Sequence, residues 1–131
     1  MIGIDTNILL RLLLDDDRAQ SERIERLFAA HVQSPGSALI VDVVLAEAVW
    51  TLDSVYRQPK AALMTALRAL LDEPAYAFES RAAVESAVQH YATSRAGFAD
   101  CLIAAKNSLA GCEFTASFDR ALRALPQVKV L

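Results

Sequence analysis

Short apolar runs alternate with helical stretches along this chain, and that alternation limits the fold more than any other feature. Residues 2–5 form a brief apolar run ending in Asp5, and residues 6–14 continue at once as a helix without Gly or Pro. Residues 38–41, 76–78 and 112–116 are further short runs, and 128–130 closes the series after Pro126. Between them, Ile24, Leu27, Phe28 and Val32 recur at helical spacing behind Asp15, Asp16 and Asp17. Asp42 is the expected N-cap of a helix over 43–55 that carries Glu47 and Trp50. Pro59 opens the next helix, whose Leu63, Met64, Leu67, Leu70 and Leu71 make one stripe ended by Pro74. Ser80 caps a helix with Val84, Ala87, Val88 and Tyr91 inward, and Gly97 and Gly111 bracket another over 98–109. Ser117 is the expected cap of a short last helix through Leu125. Strands separated by helices pair in parallel, because a parallel neighbour is reached only by a crossover. The pattern therefore predicts an α/β fold, a three-layer α/β/α sandwich with a short parallel sheet.

At 131 residues, with no internal repeat and no linker, the chain is expected to form one domain over 1–131. The net charge of −3 excludes an extended phosphate-tracking surface, which needs an excess of Lys and Arg, so any nucleic-acid contact must be local. Arg11, Arg18, Arg95, Arg120 and Arg123 are the candidate contacts. No stretch approaches 18 uninterrupted apolar residues and the N-terminus has no basic and apolar leader, so a cytoplasmic protein without membrane attachment is expected. Cys101 and Cys112, in apolar surroundings, read as reduced core thiols, and His31 and His90 as structural residues.

Four acids stand out. Asp5 ends the first strand and Asp119 follows the strand near Ala116, at the carboxyl ends where open parallel sheets bind ligands. Capping a helix N-terminus accounts for either of these taken singly. It does not account for Glu47, flanked by Leu45, Ala46, Ala48 and Val49, or for Asp100, among Phe98, Ala99, Cys101 and Leu102. Both are expected on unsolvated faces, where an ionised carboxylate is costly without a compensating cation. Arg11 or Arg95 could pair with one acid, but the basic residues of these segments are too few for all four. Oxygen ligands of this kind suit Mg²⁺ or Mn²⁺ with a phosphate ester completing the shell, and the bound ion activates water. No P-loop, G-x-G-x-x-G or G-x-S-x-G is present.

The segments Ile4-Asp5-Thr6-Asn7, Leu45-Ala46-Glu47-Ala48, Phe98-Ala99-Asp100-Cys101 and Ser117-Phe118-Asp119-Arg120 together resemble a PIN-domain ribonuclease, nearest to the VapC-type toxins of type II toxin–antitoxin pairs. The resemblance implies a PIN-like fold and a Mg²⁺- or Mn²⁺-dependent endoribonuclease with Asp5, Glu47, Asp100 and Asp119 as its catalytic and metal-binding residues. Asn7 and Ser117 match positions that orient carboxylates or metal-bound water. It also implies products with 5′-phosphate and 3′-hydroxyl ends, a homodimer, and a cognate antitoxin whose C-terminal segment covers the acids. Trp50, Leu63, Met64 and Leu67 are the candidates for a dimer face or antitoxin groove. Gly97 stands where many relatives carry a further acid, so one tight ion is expected, with a second joining only alongside RNA. Two other readings use a similar fold: a non-catalytic RNA- or protein-binding scaffold, and a phosphoacceptor module. The latter wants paired acids after the first strand, where this chain has Asp5-Thr6-Asn7.

Overall fold

The computed structural model describes residues 1–131, which divide into two compact units, Met1–Glu79 and Ser80–Leu131. In the first unit the order is β1 (Ile2–Gly3), α1 (Thr6–Leu13), α2 (Arg18–His31), β2 (Ala38–Ile40), α3 (Asp42–Ser54), α4 (Lys60–Asp72) and β3 (Tyr76–Phe78). β2 is the central strand, parallel to β1 on one side and to β3 on the other, with Ala38 opposite both Ile2 and Tyr76. The second unit holds α5 (Arg81–Thr93), α6 (Phe98–Leu109), β4 (Thr115–Ser117), a 3₁₀ turn at Arg120–Ala124 and β5 (Val128–Val130). β4 and β5 are parallel as well, Thr115 opposite Val128 and Ser117 opposite Val130. The α/β class and the parallel pairing follow the sequence pattern, with the strands shared between two short sheets.

Core formation explains the helix spacing. In α3, Leu45, Ala48, Val49 and Leu52 are buried, at the i, i+3, i+4, i+7 spacing that puts them on one face. α1 packs on that helix and buries Leu9 and Leu10. Leu63, Met64, Leu67 and Leu70 of α4 are all core residues, so three of the four side chains expected at a dimer or antitoxin face are already covered. In the second unit α5 and α6 form the main helix pair, with Val84, Ala87 and Val88 on one and Phe98, Cys101 and Leu102 on the other. Tyr91 meets Phe98 edge to face at 5.9 Å between ring centroids.

Three local expectations are corrected. Asp42 is the first residue of α3 and not its cap; the cap position is Val41, and the Asp42 N–H donates to Glu79 Oε1 at 2.9 Å. The last helix is a 3₁₀ turn capped by Asp119, while Ser117 ends β4. Cys101 is a buried thiol as expected, but Cys112 is exposed, because it follows Gly111, whose φ of +93° turns the chain out of α6 before β4 begins. No helix is long and apolar enough to cross a membrane.

Candidate active site

Acids follow the carboxyl ends of the parallel strands in both units. In the first, Asp5 comes two residues after β1, Asp42 two after β2 and Glu79 one after β3. Asp5 caps α1: its Oδ1 accepts from the Thr6 N–H at 2.7 Å, and its carbonyl takes the first helical hydrogen bond from Leu9. Glu79 supplies the donor-satisfying oxygen at the start of α3, which its own N-cap side chain, a valine, cannot offer. Glu47 projects from the middle of α3, the helix packed on α1.

In the second unit Asp119 follows β4 by two residues and caps the 3₁₀ turn, its Oδ1 accepting from the Ala121 N–H at 2.9 Å. Ser117 Oγ accepts from the Asp119 N–H at 3.0 Å. The hydroxyl thus fixes the backbone that carries the acid. Asp100 is the third residue of α6, and the Gly97 backbone hydrogen-bonds back to its carboxylate, the N-terminal arrangement in which an acid at N3 satisfies the cap residue. Partial burial raises the Asp100 pKa above the ordinary aspartate value; the nearby Asp119 charge raises it further, and the Gly97 bond opposes both. Asp100 and Asp119 are therefore brought within electrostatic reach of each other.

Burial, however, does not gather the four acids. Asp5, Glu47 and Asp119 are exposed and only Asp100 is half-buried. Glu47 shares its face of α3 with Val43 and Trp50, which are themselves 69% and 62% exposed. Its flanks Leu45, Ala48 and Val49 are buried, but on the other face of α3. Arg11 pairs with Asp16 and donates to Tyr56 Oη at 3.2 Å, so it neutralises none of the four. Arg18 is engaged with Glu22 at 3.3 Å.

Asn7 is an exposed residue of α1 that lines a cavity with Arg11 of its own helix and Gln20 and Arg23 of α2. Gln20 and Arg23 were not singled out from sequence; their signal is the i, i+3 spacing on a helix that begins directly after a run of acids.

Within neither unit do three or more His, Cys, Asp or Glu side chains gather as a ready metal-holding group. The donor chemistry nonetheless fits a hard divalent cation. All four candidates are carboxylates, and burial and the Asp119 charge disfavour the Asp100 charge, which a cation would offset.

No curated protein and no solved structure matches the chain in sequence or fold comparison. The PIN domain profile does match, over residues 2–128, a span that takes in both units and every one of the four acids. PIN domains are generally nucleases, hydrolases of phosphodiester bonds, and with nearly its whole length matched the chain belongs to the PIN domain family.

Proposed function

We propose that the protein is a Mg²⁺- or Mn²⁺-dependent endoribonuclease and the toxin of a type II toxin–antitoxin pair. Asp5, Glu47, Asp100 and Asp119 would hold the metal, which when bound supplies an activated water and charge neutralisation at the scissile phosphate. The observation that carries the reading is the Asp100–Asp119 pair: half-burial and a like neighbour disfavour the Asp100 charge, the condition a cation relieves. The caps support it. Asp5 and Asp119 are held in fixed orientation by the Thr6 and Ala121 N–H groups, and the Ser117 bond steadies the Asp119 backbone. Products would carry 5′-phosphate and 3′-hydroxyl ends.

A cognate antitoxin and a second copy of the chain are the proposed protein partners. Trp50 and Val43 are the exposed apolar residues of α3 that support a protein-contacting face there. The second reading, a scaffold that binds RNA or protein without cutting, is favoured by the absence of a three-ligand group within either unit.

The test is cleavage of a structured-RNA pool by purified protein with Mg²⁺, Mn²⁺ or EDTA, alongside Asp5→Asn. Metal-dependent cutting that the variant loses is the expected result. No cutting with either metal, or equal cutting by the variant, would transfer the conclusion to the scaffold.

A further inference from the structure

Between α1 and α2 lies an open cavity of about 350 Å³, at the low end of the range for small-ligand sites. Asn7, Ile8 and Arg11 line it from α1, and Gln20, Arg23, Ile24 and Leu27 from α2. The α2 residues fall at i, i+3, i+4 and i+7 and so form one face toward α1. The cavity carries two guanidinium groups and no carboxylate, two side-chain amides, and an apolar wall. Its neighbour along the same seam, about 540 Å³, shares Arg11 and Ile24 but adds Asp15 and Glu25, which repel an anion. The two Arg differ in duty. Arg11 is tethered by Asp16 and Tyr56, whereas the ion pairs of α2 are Arg18 and Arg26 with Glu22, and Arg23 enters neither. Asn7 ties the cavity to the site, two residues beyond Asp5.

We propose that this cavity takes one unpaired nucleotide of the RNA, with Arg23 on the phosphate, the Asn7 and Gln20 amides on the base edge, and the base face against Ile8, Ile24 and Leu27. The inference rests on the ribonuclease reading and names its recognition pocket. In a chain of net charge −3 a local basic cavity is where phosphate contact can occur, and amides paired with an apolar wall are the means by which proteins read splayed-out single-stranded bases. A cavity of this size excludes duplex.

The experiment measures binding and cleavage of short fluorescein-labelled oligo-A, oligo-C and oligo-U by the full chain, its Arg23→Gln and Gln20→Ala variants, and Arg68→Gln. Arg68, an exposed residue of α4 outside the cavity, controls for net charge. Gln20→Ala keeps the backbone N–H that Asp17 Oδ1 accepts, so helix capping is retained. Anisotropy is read in EDTA, where cleavage does not interfere, and kinetics are read with metal. Arg23→Gln is expected to raise Kd and KM about 5- to 10-fold, to leave kcat within about twofold, and to lower the salt slope of log K by about 0.7, while Arg68→Gln changes little. Gln20→Ala is expected to flatten the preference among the three oligonucleotides. If Arg23→Gln and Arg68→Gln behave alike in Kd and salt slope, the inference is overturned and the cavity belongs to another ligand, whether or not cleavage occurs. Absence of cleavage by the wild type with normal, Arg23-dependent binding would overturn the nuclease reading and leave the pocket standing.

Discussion

The two units place their acids by different physical means. In Met1–Glu79, Asp5 and Glu47 stand exposed, one tied down as a helix cap and the other on a surface face of α3. In Ser80–Leu131, Asp100 is half-buried and feels Asp119, so the second unit holds a carboxylate whose charge burial and a like neighbour both disfavour. The difference teaches that acids picked out by one sequence pattern need not share an environment. A part-buried carboxylate with a raised pKa, such as Asp100, is a candidate functional position on physical grounds.

The largest effects should appear when each unit's core is cut. Phe98→Ala in α6 should cost about 3–5 kcal/mol and Leu9→Ala in α1 about 2–5 kcal/mol, measured by urea denaturation. Equal loss of signal from Trp50 and from far-UV circular dichroism in both variants would show the units unfolding together; separate transitions would show that each stands alone.

A smaller effect belongs to the Glu79 contact within the first unit. Glu79→Ala removes the oxygen that accepts from the Asp42 N–H, and should destabilise the protein by about 1 kcal/mol. An unchanged melting temperature would show that water serves the α3 terminus as well.

This contact also shows where sequence reading stopped. The span of α6, Phe98–Leu109, and the strands Tyr76–Phe78 and Val128–Val130 were legible because Gly, Pro and apolar spacing are local signals. The start of α3 was not, since its capping oxygen comes from a residue 37 positions away. The exposure of Glu47 was legible in principle. Leu45, Ala48, Val49 and Leu52 already define the buried stripe, and Glu47 lies off it with Val43 and Trp50; apolar flanks concealed a face that the spacing discloses. Asp5, Asp100 and Asp119 were legible as residues at strand ends and helix starts, and Glu47 as an acid within an apolar helix. The Asp100–Asp119 interaction was not, because it depends on how α6 and β4 pack.

The smallest effect sharpens the electrostatic contrast. In metal-free protein Asp100→Asn should raise stability at neutral pH by a few tenths of a kcal/mol, as removal of a like-charge contact does. Because the folded Asp100 pKa is raised, the native state holds more proton than the unfolded state between the ordinary aspartate value and the raised one. Its contribution is therefore most favourable below that window, falls as pH rises through it and levels off above. Asp100→Asn should flatten this slope, which melting temperatures of the wild type and the variant taken from pH 3 to 7 will show.

The most direct measurement sets the units against each other in one assay: RNA cleavage with Mg²⁺ by Asp5→Asn, Glu47→Gln, Asp100→Asn and Asp119→Asn, each confirmed folded by circular dichroism. If the four acids serve one metal-dependent reaction, every variant should lose at least about 100-fold in kcat/KM, the exposed acids of the first unit as severely as the coupled pair of the second. Full activity in either first-unit variant, with loss only in the Asp100 and Asp119 variants, would contradict that account.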